Sequence, residues 1–129
     1  MWQEISPATW TYNCMAFAAE ENDRVWWPDP MGLYYWPEKA PREVTIPAFV
    51  LAFRTLGYEP ATNRDWEPGI QKVALYVDDE GNPTHAARQL EKCGWLSKLG
   101  DDIDIIHDVP EDLPVHYGSV TVILKRRAR

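Results

Sequence analysis

Cys14 opens the apolar-rich run Cys14-Met-Ala-Phe-Ala-Ala19 directly after Asn13, and His85 stands in a downstream segment that reads as a strand. A thiol at a helix start and an imidazole on a sheet are the two halves of a nucleophile–base pair. The unpaired N–H groups and positive dipole end of a helix N-terminus favour thiolate over thiol. A neighbouring imidazole can then take the proton and hold the ion pair. Against this stands the ordinary role of a free cysteine, a small core residue. His85 is the favoured base because Thr84 precedes it and the small Ala86 and Ala87 follow, leaving room for a substrate or a helix end.

Such a base needs a partner that fixes its tautomer. If a three-residue turn follows the His85 strand, Ser97 of the next strand lies on the His85 face; a two-residue turn puts Lys98 there instead. A one-residue slip decides between them. Lys98 offers donors only, and Asp101 and Asp102 are nearby carboxylates. Gln89 shares the His85 face and can offer an amide N–H to a developing oxyanion, as can Asn13 and the backbone N–H of Cys14. Asn13 equally serves as a plain helix cap. Trp26 and Trp27, with Trp36 and Trp95, are candidate walls of a substrate groove and candidate core residues alike. His107 and His116 have no ligand-like spacing with Cys or Asp, so no metal is expected. The seven glycines are scattered singly, without a phosphate-binding fingerprint, and no cofactor is expected. Cys14 and Cys93 are far from Cys-x-x-Cys spacing, which argues against a redox pair.

The elements that must position these groups follow from pattern. A chain of 129 residues, 45% hydrophobic and with seven Trp, is long enough to build one domain with its own core, residues 1–129. A net charge of -7 argues against a grip on nucleic acid, and the basic end Lys125-Arg-Arg-Ala-Arg129 reads as a solvated tail. The start lacks the basic and apolar segments of a signal peptide, and no run is long enough to cross a membrane. A cytoplasmic location with reduced thiols is expected, export by a dedicated secretion machine remaining open. Asn13 caps a first helix to about Glu21. Pro28, Pro30, Pro37 and Pro41 forbid regular helix in the aromatic stretch that follows, a long ordered loop. Thr45, Pro47 and Gly57 frame a second helix. Strands are expected over 71–77, 84–92, 95–99 and 119–124, with a hairpin turn at Asp78–Pro83 and a polar segment around Asp101, Asp102, Asp104 and His107. Helices first and an antiparallel meander after them describe an α+β domain.

The segments Asn13-Cys14-x-Ala16, Trp26-Trp-Pro28, Tyr35-Trp-Pro37, Ala52-Phe-x-x-Leu-Gly-Tyr58, Lys72-Val-Ala-Leu-Tyr76, Pro83-Thr-His-Ala-Ala-Arg-Gln89 and Trp95-x-Ser-Lys-Leu-Gly100 resemble a family of short bacterial proteins. That family is similar in turn to the papain-like superfamily of NlpC-type peptidases and amidases. The resemblance covers residues 13–107 or so. It implies a papain-like (NlpC-type) fold, with N-terminal helices packed on an antiparallel β-sheet, Cys14 as nucleophile and His85 as base. A third polar residue is implied about a dozen positions after His85, where Ser97 falls with Lys98 beside it. Where that superfamily usually carries His, Asn, Asp or Gln at the third place, this chain departs from it. The implied activity is a thiol hydrolase cleaving amide bonds of a peptide or protein substrate. The alternative is an inactive papain-like module that binds a protein partner through its Trp/Tyr-rich loop.

Overall fold

The computed structural model describes residue 18 and residues 26–90, 94–97, 106–111 and 118–128, with the backbone alone of 2–6, 98, 104 and 105. Helix α1 (Ile46–Arg54) begins where Thr45, extended at φ -139°, accepts the Ala48 N–H on its side-chain oxygen, and Pro47 sits in the first turn. Gly57 takes φ +93° beyond its end. Ala48, Phe49, Ala52 and Phe53 form its buried stripe, the spacing of a helix lying on a core.

The described residues form seven strands: β1 (Trp2–Ser6), β2 (Glu59–Pro60), β3 (Ile70–Val77), β4 (Pro83–Gln89), β5 (Trp95–Lys98), β6 (Asp104–His107) and β7 (Ser119–Arg127). They form one sheet in the order β1-β6-β5-β4-β3-β7-β2, and every pair is antiparallel. The β3–β4 hairpin is closed by the Asp78 carboxylate, which accepts the Glu80 and Asn82 N–H groups at 2.9 Å each. Gly81, at φ +84°, supplies the left-handed residue the turn requires.

This corrects the expectation of an α+β, papain-like (NlpC-type) fold with N-terminal helices packed on a sheet. The molecule is β-rich, and among the described residues only α1 is a full helix. Three strands that the sequence reading left out complete the sheet, β1 and β6 at one edge and β2 at the other. The basic tail is also not free of the fold. Its residues 125–127 belong to β7, and Arg126 is buried, lying 4.5 Å over the Tyr58 ring and donating to Leu56 O at 3.0 Å.

The register sorts the sheet into two unlike faces. Val73, Leu75, Ala86 and Leu124 pack under Phe49 and Phe53 of α1, together with Trp26, Trp36, Tyr58 and the helical Ala18. The opposite face carries Lys72, Ala74 and Tyr76 of β3; His85, Ala87 and Gln89 of β4; Trp95 and Ser97 of β5; and His107 of β6. The first face is an apolar core of ordinary kind. Polar groups crowd the second.

Candidate functional site

Among the described residues, two segments cover the polar face. One is the loop 61–69: Lys72, fully buried, donates to Asn63 O (3.2 Å), Asn63 Oδ1 (2.9 Å) and Asp65 O (2.6 Å), and pairs with Glu67 at 2.7 Å. That hydrogen bond from Lys72 holds the Glu67 carboxyl below the usual carboxylate range. Gln89 Nε2 donates to Arg64 O at 2.7 Å in the same loop. The other cover is 108–111, to which the Tyr76 hydroxyl donates at Pro110 O. Arg64 and Glu111 join the two covers through an ion pair of 2.5 Å.

Beneath the covers, Ser97 and His107 are both fully buried. Ser97 Oγ lies 2.7 Å from His107 Nε2, and His107 Nδ1 lies 2.7 Å from Val109 O. A carbonyl oxygen can only accept, so Nδ1 carries the proton and Nε2 accepts from the Ser97 hydroxyl. Burial lowers the His107 pKa and keeps the ring neutral. The Ser97→Ala variant leaves a buried ring nitrogen without its donor. It is expected to lower stability by about 1–3 kcal/mol, read as a shifted urea midpoint at unchanged slope.

His85 sits on the same face, fully buried, with its ring 5.0 Å from the Tyr76 ring in an edge-on arrangement. Burial, and then the neighbouring His107, push its pKa down to about 3. The imidazole is therefore neutral at physiological pH. Burial likewise pushes the Tyr76 phenol up, so it stays a donor.

Of the residues singled out from the sequence, the structure brings His85, Ser97 and Gln89 to one face. Ser97 faces Ala87 of β4, the register of the three-residue turn, while Lys98 pairs with Asp104 in the backbone ladder. Ser97 is not the partner of His85: its hydroxyl is committed to His107. Gln89 spends an amide N–H on Arg64 O, and its Oε1 is buried with no hydrogen-bond partner among the described residues. Trp26 is core, 1% exposed. Trp27 packs edge-on against Phe49 at 5.6 Å. Asn13, Cys14, Cys93, Asp101, Asp102 and His116 lie outside the described residues.

His107 and Tyr76 are the site residues that sequence reasoning missed. The available signal was alternation, since Trp95 and Ser97 fall two apart and His107 takes its place opposite Trp95. A cleft of about 330 Å³ opens at one end of the sheet beside Trp66, Gln71 and Gln89. Neither His85 nor Ser97 lines it, so this opening is not where we place chemistry. Among the described residues no group of three His, Cys, Asp or Glu could hold a metal ion, and no helix is long and apolar enough to cross a membrane.

No curated protein and no solved structure matches the chain. The family described as a domain of unknown function (DUF7689) matches residues 3–125. With that span covering nearly the whole sequence, the chain belongs to the DUF7689 family.

Proposed function

We propose that the chain is a thiol hydrolase that cleaves amide bonds, with Cys14 as nucleophile and His85 as base. The observation that carries this reading is the state of His85: a neutral imidazole, enclosed beside Tyr76 and the Ser97–His107 pair on a face crowded with polar groups. Apolar packing alone gives no reason for two histidines, a serine and a tyrosine to share one buried layer, and clusters of perturbed titratable groups favour functional sites. A neutral imidazole is the form that accepts a thiol proton. Burial makes the resulting imidazolium costly, but a thiolate beside the ring offsets its charge, so the two groups would ionise together. Cys14 then attacks the carbonyl carbon, the amide breaks, and His85 returns its proton to the leaving amine. Water hydrolyses the acyl-enzyme in the second half. Substrates of this reading are peptides or protein side-chain amides, and the reduced thiol it needs fits a cytoplasmic location.

Alkylation rates test it. Iodoacetamide at mildly acidic pH, followed by peptide mass spectrometry, is expected to modify Cys14 at least about tenfold faster than Cys93, because only an ion-paired thiolate persists below the ordinary thiol pKa. His85→Gln is expected to abolish the difference. Equal rates at both cysteines in the native protein would remove the reading.

A further inference from the structure

The side-chain amide of Gln89 is only half used. Gln89 is 8% exposed, and its Nε2 donates to Arg64 O at 2.7 Å. Its Oε1 is buried with no hydrogen-bond partner among the described residues. Flipping the amide brings no relief, because Oε1 would then face a carbonyl oxygen that can only accept. Buried side-chain oxygens are nearly always paired, so an orphan of this kind marks a place where a donor is missing.

Gln89 forms part of the wall of the cleft of about 330 Å³ at the end of the sheet, together with Trp66, Pro68, Ile70, Gln71 and Leu90. Gln71 is placed in the same way. Its Nε2 donates to Gln89 O at 3.1 Å and to Lys72 O at 3.3 Å, so its oxygen is what that amide has left to offer. The lining thus sets two amide acceptors beside the half-buried Trp66 and the apolar Ile70 and Leu90. No charged side chain lines the cleft among the described residues. The nearby Glu67 carboxylate is taken by Lys72 at 2.7 Å. A charged ligand would lose its hydration here with no counter-charge to offset the loss.

These walls are set in advance. Lys72 ties the loop 61–69 at Asn63, Asp65 and Glu67. Ile70 N–H donates to Glu67 O at 3.1 Å, and Ala128 N–H to Gly69 O at 2.9 Å. A ligand therefore has little backbone left to order. The volume stands at the small end of pockets for small molecules, room for one ring system.

We propose that this cleft binds a neutral small molecule of the aryl carboxamide class, its ring against Trp66 and an amide N–H donated to Gln89 Oε1. The site is separate from the hydrolase chemistry and does not depend on it.

The test follows the full ¹⁵N-labelled chain by NMR during titration with benzamide. The Gln89 side-chain and Trp66 indole signals are expected to shift saturably. Acetophenone, in which a methyl group replaces the amino group of benzamide, is expected to bind about fivefold or more weakly, the loss of one hydrogen bond to a buried acceptor. Gln89→Leu is expected to abolish that preference. Because this variant also gives up the bond to Arg64 O, its thermal unfolding is compared with the parent chain; should it fail to fold, the two ligands on the parent chain decide alone. Benzoate and benzamidinium, the same ring bearing either sign of charge, are expected to bind more weakly than benzamide. The proposal is overturned if benzamide gives no saturable shift up to its solubility limit, or shifts signals elsewhere but not those of Gln89 and Trp66. It is equally overturned if acetophenone binds as well as benzamide, or if either charged analogue binds more tightly.

Discussion

His85 is expected to withdraw on the order of 5 kcal/mol of folding stability as pH drops from about 7 to about 3, a loss that His85→Phe is expected to lack. The cause is the buried ring. In the unfolded chain His85 takes a proton near the ordinary value of 6.5, but in the folded protein it does so only at about 3. Between those two values the unfolded state binds more protons, so each pH unit of acidification costs about 1.4 kcal/mol. Stability is undiminished by this residue above the unfolded pKa, declines through the window, and stops declining below the folded one. His107, also lowered by burial, acts in the same direction. The carboxyls of Asp29, Glu67, Asp78 and Glu111, all lowered by their hydrogen bonds, add losses at the acid end. The His85 share is therefore the difference between native and variant curves. Urea titrations across this pH range measure it, and parallel curves would show that His85 is not the acid-sensitive group.

Gly118→Ala is expected to be the most damaging added methyl among the described glycines, costing about 3–5 kcal/mol or preventing folding. Gly118 takes φ +97°, and a Cβ there would overlap Val77 O while sitting 2.6 Å from Thr84 Oγ1 and 2.8 Å from Val77 C. The position lies just before β7, where Ser119 pairs with Val77, and Thr84 belongs to β4. The Thr84 hydroxyl is a side-chain atom that can turn aside, but Val77 O and C are main-chain atoms of β3 that cannot retreat without breaking its ladder to β7. Gly81→Ala is the control, since φ is +84° there but no atom lies within 4 Å of the added carbon. It carries the backbone strain alone, about 1–2 kcal/mol. Thermal unfolding of the two variants side by side separates steric overlap from strain, and similar losses in both would refute the overlap.

Local signals in the sequence translated well into local structure. Thr45, Pro47 and Gly57 frame α1 where capping chemistry puts it. The Asp78–Pro83 turn joins the hairpin it announces. Alternation over 71–77 and 119–124 marks β3 and β7. What stayed hidden is non-local. Nothing in Trp2–Ser6 or Asp104–His107 shows that they will pair with one another, because four- and five-residue strands carry too few residues for alternation to stand out, and the aspartates around 101–104 read as a polar loop. The neighbouring of β7 with β3 is equally invisible. Those pairings make the fold β-rich, which is why the reading of N-terminal helices packed on a sheet failed. The site was half legible for the same reason. Ser97 and His85 share a face as expected for one register, yet the actual partner of Ser97 is His107 on a strand that was not foreseen.

Arg64 and Glu111 are 44% and 51% exposed at their side chains, which sets their pair apart from the buried bonds that hold the same covers. Theirs is a clasp set in water, where dissolved ions screen attraction over about a Debye length. The strands beneath rely on backbone ladders that ions hardly disturb. Rising salt thus loosens the tie between the two covers, whereas the bonds that anchor each cover from beneath, from Lys72 and Gln89 to one and from Tyr76 and His107 to the other, lie out of its reach.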